Sequence, residues 1–166
     1  MKKTTKTLLV ASGILAATSA AAVAAYRTTS KALMNLALGR EHPKVMEKNK
    51  ELLMGSQDLS EVINTVMEKA AELEDKSLER VEITSHDGIK LVGHFRAAKN
   101  PQRIVLAFHG WRSTWSQDFG IISDFYYESG CSVLFAEQRA QGGSEGEYMG
   151  FGLLERYDAY EWVKWA

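Results

Sequence analysis

Cysteine, proline and histidine are scarce in this sequence of 166 residues. The single cysteine, Cys131, excludes an internal disulfide and a cysteine-rich zinc site. The four histidines, His42, His86, His94 and His109, lack the spacing of metal ligands, so we expect neither a bound metal nor a cofactor. The two prolines and the absence of biased tracts exclude a low-complexity linker.

The sequence also has no excess of charge of one sign, since 20 basic and 21 acidic residues give a net charge of −1. This balance excludes the basic footprint of a general nucleic-acid binder and the composition of an acidic disordered chain. We therefore expect no nucleic-acid partner. Phosphate-binding Walker loops, dinucleotide fingerprints and metal motifs are missing as well.

The N-terminus has the pattern of a membrane-addressing segment. Lys2, Lys3 and Lys6 precede a run without charged residues over residues 8–25. The length of this run favours a retained anchor, whereas the small residues at 20–25 also suit cleavage as a signal peptide. The preceding lysines predict a cytoplasmic N-terminus with the body outside the cell membrane, or a secreted body if the segment is cleaved.

The middle of the chain, residues 31–80, reads as helical. Apolar residues between Leu59 and Leu73 recur at the spacing of one helical face. Asp58 and Glu61 occupy capping-box positions, and Pro43 opens a shorter predicted helix over 42–54. We expect these helices to pack on their own domain, and a membrane-proximal stalk or partner-binding helix is the alternative.

Residues 81–166 have the rhythm of an α/β domain. Two alternating strands around Asp87 and Gly88 predict an antiparallel hairpin over 81–95. Strands buried on both faces are predicted at 103–108 and 132–136, and helices at 117–129 and 153–165. In the last helix we expect Leu154, Tyr157, Tyr160 and Val163 to be buried, with Trp162 a weaker candidate. The predicted domains are thus 1–30, 31–80 and 81–166.

Two motifs carry a family resemblance. Residues 104–111 read IVLAFHGW, and residues 133–146 read VLFAEQRAQGGSEG. Together they resemble the third strand and the next strand and loop of α/β-hydrolases, especially bacterial hydrolases of the serine aminopeptidase-like and monoglyceride lipase-like branch. Glu137 and Ala140 depart from that family's usual Asp and Gly. The resemblance covers residues 81–166, the front part of such a domain.

The resemblance implies the N-terminal portion of an α/β-hydrolase sheet. It implies that the backbone N–H of Trp111, supported by His109 and Gly110, belongs to an oxyanion hole. Arg139 and Gly143 lie in the loop after the second parallel strand. The nucleophilic serine, the acid and the histidine follow in that order in this fold, so all three are expected beyond residue 166 and none within the chain. The strand ending at His109 would pair with a further strand.

Residues 142–146, GGSEG, formally match the nucleophile-elbow pattern around Ser144. An elbow requires a strand directly before it and a helix directly after it. Neither flank fits, and the resemblance places Ser144 in a loop that does not hold the nucleophile. We therefore do not assign Ser144 as the nucleophile.

Three functions remain open at this point. The favoured one is the N-terminal fragment of a membrane-anchored serine hydrolase, which acts on an ester or peptide only in its full-length form. The second is a non-catalytic anchored interaction module, or half of a split hydrolase. The third is a minimal hydrolase that uses Ser144.

Overall fold

The computed structural model describes residues 2–41 and 57–166 of the chain, with side chains over 19–41 and from 59 onward. It divides into two compact units, Met1–Ala37 and Leu38–Ala166. The predicted helix over 42–54 and the side chain of Asp58 lie outside the described part.

The first unit is formed by the helix α1 (Lys2–Leu38) up to Ala37, and the helix is much longer than the predicted segment at 8–25. Among the residues searched, those that the structure describes, no helix combines the length and apolarity needed to cross a membrane. Because the side chains of residues 8–18 are not described, the predicted anchor stays a prediction.

The second unit is an α/β fold, as predicted. Its elements are α2 (Gln57–Glu74), β1 (Glu79–Thr84), β2 (Lys90–Arg96), β3 (Arg103–Phe108), α3 (Trp115–Phe119), α4 (Ser123–Glu128), β4 (Cys131–Ala136) and α5 (Glu155–Trp165). The four strands form a mixed sheet in the order β1-β2-β4-β3. β2 pairs antiparallel with both β1 and β4, whereas β3 and β4 are parallel.

The hairpin turn between β1 and β2 follows directly from its sequence. Gly88 has a φ of 86°, a left-handed conformation that glycine adopts without steric cost. Its N–H donates to the Ser85 carbonyl at 2.9 Å, and the Ser85 N–H donates to the Ile89 carbonyl at 2.8 Å. The turn thereby sets the register that pairs Thr84 with Lys90.

β4 lies at the centre of the core because every one of its residues is buried. Successive side chains point to opposite faces of a strand. On one face, Leu134 packs in a cluster with Trp162 of α5. On the other, Phe135 packs with Leu73 of α2. The continuous apolar run at 133–136 is therefore explained by layers on both faces of the sheet.

β3 differs from the prediction of a strand buried on both faces. Ile104 and Phe108 are exposed, and only Ala107 is buried. The physical reason is position, since β3 is the terminal strand of the described sheet and pairs there with β4 alone.

The predicted helix over 117–129 is wrong in its continuity, because the segment forms the short helices α3 and α4. The chain turns at Gly120, which lies directly against α2. A Cβ atom there would approach the Lys69 carbonyl oxygen to 2.6 Å. Phe125 of α4 is exposed.

The predicted inner face of the last helix is also wrong, except at Trp162. Trp162 and Asp158 of α5 are buried, whereas Tyr160 and Val163 are exposed, as are Leu154 and Tyr157. The helix is rotated so that Asp158 meets a buried arginine, Arg139, with Trp162 one turn later on the same face. In α2, only the C-terminal end of the predicted apolar face is buried, at Ala70 and Leu73.

Candidate active-site region

The parallel pairing of β3 and β4 brings the two sequence motifs together. Phe108 pairs in register with Ala136 at the carboxyl ends of the two strands. The residues that follow these strands, His109 and Glu137, therefore emerge at the same edge of the sheet. We call residues 109–112 the β3 turn and residues 137–146 the β4 loop.

His109 joins the β3 turn to the β4 loop. It is 2% exposed, and its Nε2 accepts a hydrogen bond from the Gln138 N–H at 3.1 Å. The ring proton therefore lies on Nδ1, which donates to the Gly110 carbonyl at 2.9 Å. The side chain of Gln138 in turn donates to the His109 carbonyl. With both ring nitrogens engaged, His109 is a structural histidine rather than a catalytic base.

Gly110 is held by the helix that follows it. Its N–H donates to Oδ2 of Asp118 at 2.6 Å, and Ser113 donates its hydroxyl to the same carboxylate. Thr114 caps α3 by accepting from the Gln117 N–H at 3.2 Å. The β3 turn is therefore held on its N-terminal side by the strand β3 and on its C-terminal side by the hydrogen bonds to Asp118 of α3.

Trp111 lies in this turn with 41% of its surface exposed. The next residue, Arg112, has a φ of 54°, which is an uncommon conformation for a non-glycine residue. The Arg112 guanidinium lies 5.0 Å from the centre of the Trp111 ring. The centres of the Trp111 and Phe151 rings are 6.2 Å apart. The result is an exposed aromatic wall beside the turn.

Phe151 is presented by a clamped turn that the sequence analysis missed. It is 65% exposed and has a φ of 47°. The carboxylate of Glu155 accepts from the N–H groups on either side of it, Gly150 at 2.5 Å and Gly152 at 2.7 Å. The sequence signal for this clamped turn is a glutamate at the start of a helix, three residues after a Gly-x-Gly pair.

Ser144 is buried in the β4 loop with an exposed fraction of 0%. Its hydroxyl donates to the Glu137 carbonyl at 2.7 Å and accepts from the Val92 N–H at 2.9 Å. The hydroxyl thus joins the loop to β2. This environment gives it neither an activating base nor access to a substrate, which argues against the minimal-hydrolase hypothesis.

Glu137 and His94 form a pair that the sequence analysis did not single out. Oε1 of Glu137 lies 2.7 Å from Nε2 of His94, and Oε2 accepts from the Gly143 N–H. Burial raises the pKa of Glu137, but the hydrogen bonds from His94 and Gly143 outweigh it, and the pKa lies below its ordinary value. The His94 ring also stacks on Trp115 at 4.1 Å.

Arg139 lies at the centre of a buried ion-pair network. Its guanidinium donates to Asp158 of α5, and to Asp87 at 2.9 Å. Ser85 donates its hydroxyl to Asp158 as well. The hydrogen bonds to Asp158 and Asp87 outweigh burial and raise the pKa of Arg139, and the Arg139 hydrogen bond lowers the pKa of Asp87. Arg139 therefore connects the β4 loop to α5 and to the hairpin turn.

The site residues named from the sequence thus fall into two groups. The structure brings His109, Gly110 and Trp111 together with the β4 loop at one edge of the sheet. Arg139, Gly143 and Ser144 belong to the β4 loop itself and stabilise it through their hydrogen bonds. Among the described residues, no group of three or more metal-ligating side chains is placed to hold a metal ion.

Comparisons with known proteins give similarity at the level of structure only. No protein-family model and no curated protein sequence matches the chain. An esterase of Pyrococcus furiosus is similar at 29% identity over 57% of this chain and 36% of its own, with a TM-score of 0.49. An α/β-hydrolase of Vibrio vulnificus is similar at 21% identity over 63% of this chain and 34% of its own, with a TM-score of 0.44. An α/β-hydrolase of Penicillium is similar at 23% identity over 54% and 32%, with a TM-score of 0.44.

The chain spans about a third of the length of these three solved structures. Each of them is described as an esterase or an α/β-hydrolase.

Proposed function

We propose that residues 81–166 are the N-terminal part of the catalytic domain of a serine hydrolase of the α/β-hydrolase type, in the serine aminopeptidase-like and monoglyceride lipase-like branch. The observation that carries this proposal is the meeting of the two motifs at the carboxyl ends of β3 and β4. In open α/β sheets, ligands bind in the crevice outside the carboxyl ends of the strands. The substrate class is an ester or a peptide.

The β3 turn would act on the charge that develops during acyl transfer. Attack of a serine hydroxyl on the carbonyl forms a tetrahedral oxyanion, and the serine proton passes to a histidine base. A backbone N–H directed at that oxygen contributes about 3 kcal/mol to the transition state. In this proposal the Trp111 N–H is one such donor, and its indole forms part of the acyl-binding wall. The intermediate then expels the alcohol or amine, which takes the proton from the histidine, and water hydrolyses the resulting acyl-enzyme.

The nucleophile, the acid and the catalytic histidine belong to residues other than those described. His109 and Ser144 are fully engaged in structural hydrogen bonds. Ser85 lies 3.2 Å from Nδ1 of His86, but it is buried and donates its proton to Asp158. We therefore expect this chain to be inactive on its own and active only as part of a longer protein.

The exposed edge of β3 supports the same proposal. Its central residues are apolar, and Ile104 and Phe108 are exposed. An unpaired apolar edge is prone to aggregation unless another strand covers it. The alternative function, a non-catalytic interaction module or half of a split hydrolase, is favoured by the same edge, which would then bind a strand from a partner chain.

The test is to read the coding region past codon 166 and to express the longest product. The proposal expects a new apolar strand followed by a G-x-S-x-G within about 25 residues, and labelling of that serine by a fluorophosphonate probe. The 166-residue chain alone should remain unlabelled. A stop codon at this position in both genome and transcript would refute the single-chain proposal and favour the split or non-catalytic one.

We also propose that residues 8–25 hold the protein at the cell membrane, with the body outside the cytoplasm. The support is the uncharged run preceded by Lys2, Lys3 and Lys6. The alternative is cleavage of this segment and secretion of the body.

A further inference from the structure

A short segment ahead of the sheet, Leu38 to Arg40, contacts both the β4 loop and the β3 turn. Gly39 is buried and forms an antiparallel bridge with Tyr148. The Leu38 carbonyl accepts from the Met149 N–H at 2.9 Å. These residues belong to the same compact unit as the sheet, which begins at Leu38.

Arg40 adds a two-point contact to this segment. Its Nη1 donates to the Ser144 carbonyl at 2.7 Å, and its Nη2 donates to the Gly142 carbonyl. Gly142 has a φ of 51°, so the loop backbone takes a conformation that favours glycine. A planar guanidinium suits two carbonyls at this spacing, whereas a lysine ammonium is a single point of charge.

The same segment reaches the β3 turn through Arg112. Nη2 of Arg112 donates to the Gly39 carbonyl at 3.3 Å. Arg112 directly follows Trp111 and has a left-handed φ of 54°. The segment thus lies between Arg112, which directly follows Trp111, and the β4 loop, which contains Ser144.

We propose that Leu38–Arg40 is a positioning strap, and that Arg40 is the positioning residue that keeps the β4 loop and the β3 turn in one arrangement. The proposal rests on the proposed function only for the effect of the strap on catalysis, because Trp111 lies in the β3 turn that the strap contacts. The strap itself is a claim about the described chain. It makes a residue outside the hydrolase-like part a component of the site.

Hydrogen exchange followed by mass spectrometry on the full 166-residue chain tests the strap directly. Its reporters are the N–H groups of Ser144, Met149 and Ser113, which bond to Gln141, Leu38 and Gly110. In Arg40→Ala we expect exchange at Ser144 and Met149 to be about tenfold faster, and a smaller increase at Ser113, because charge-assisted hydrogen bonds are lost. Arg40→Lys should restore part of the protection.

Lys99→Ala is the matched control, because it removes one exposed positive charge from the same unit. It should leave the three reporters unchanged. Unchanged exchange at Ser144 and Met149 in Arg40→Ala would overturn the proposal. An equal acceleration across β4 would also overturn it, because Arg40 would then support the whole unit rather than position the loop.

A failure of the strap proposal can be distinguished from a failure of the proposed function. Strap-dependent protection without serine labelling in the longer product would refute the hydrolase alone. In an active longer product, Arg40→Ala should lower kcat about tenfold with little change in KM, because a displaced backbone donor weakens transition-state binding. Labelling with full activity in Arg40→Ala would refute the strap alone.

Discussion

Arg139 and Asp158 form a two-point ion pair in which Nε and Nη2 each lie 2.7 Å from a carboxylate oxygen, with both side chains buried. The pair joins the β4 loop to α5. Breaking one partner of a buried ion pair leaves an uncompensated charge, which costs about 3–5 kcal/mol. We therefore expect Asp158→Asn to lower the free energy of unfolding by about 3 kcal/mol in a urea titration.

Asp87→Asn is the matched control, because Asp87 bonds to the same guanidinium but its side chain is 35% exposed. Its loss should cost no more than about 1 kcal/mol, as solvent screens the remaining interaction. Equal effects of the two variants would show that burial at Asp158 does not decide the stability of this network.

This network also shows what the sequence could and could not predict. The hairpin, the two parallel strands and the α/β class follow from local patterns, such as Asp87-Gly88 and the apolar run at 133–136. The inward face of α5 does not, because Asp158 is buried by its partner Arg139 rather than by its own hydropathy. The exposure of β3 depends on its place at the edge of the described sheet, which strand-level patterns do not encode.

The candidate site divides in the same way. The motif order identified His109, Gly110 and Trp111 as a turn after a strand, and the structure places them directly after β3. The roles of Glu137, His94 and Arg40 depend on contacts between distant segments, so spacing along the chain gave no sign of them. A clamp such as Glu155 on Gly150 and Gly152 is local, so a Gly-x-Gly pattern followed by a glutamate is a sequence signal for it.

Acidification should weaken the β4 loop through Glu137. The pKa of Glu137 is lowered in the folded protein, so its contribution to stability is present above the ordinary value of 4.5 and is lost as pH falls through the folded pKa. We expect the free energy of unfolding to fall below about pH 4.5. In Glu137→Gln this fall should be shallower, as measured by urea titrations between pH 6 and pH 3.

Glu147→Gln serves as the control, because Glu147 is an exposed glutamate close to the same loop. It should reproduce the wild-type pH dependence. If Glu137→Gln and Glu147→Gln were indistinguishable across this range, the Glu137 contacts with His94 and Gly143 would not contribute to acid sensitivity.

Removal of the Ser144 hydroxyl should affect stability and not chemistry. Ser144→Ala leaves the Val92 N–H and the Glu137 carbonyl without their shared partner, which costs about 1–3 kcal/mol when those groups are buried. Ser129→Ala, at an exposed position, should cost less than about 0.5 kcal/mol. Fluorophosphonate labelling of the chain that disappears in Ser144→Ala would contradict this assignment.

The membrane proposal predicts a strong effect of one charge in the N-terminal run. Arginine at the centre of a membrane helix costs about 2.5–3.5 kcal/mol on insertion scales, so Leu15→Arg should shift the protein from the membrane to the soluble fraction. Leu36→Arg, an exposed position outside the run, should stay with the membrane. The measurement is carbonate extraction followed by immunoblotting. Extraction of the wild-type chain by carbonate would contradict the membrane-anchor proposal.

The role of Trp111 is tested by separating its backbone from its side chain in the longer, active product. Trp111→Pro removes the N–H, and kcat should fall by about 100-fold or more, as for loss of one oxyanion donor. Trp111→Phe keeps the N–H and an aromatic wall, so kcat should stay within about threefold and any change should appear in KM. Circular dichroism and exchange at the Ser113 N–H, which bonds to the Gly110 carbonyl at 3.3 Å, show whether the proline variant keeps the turn. A folded Trp111→Pro variant with full kcat would exclude the Trp111 N–H as an oxyanion donor.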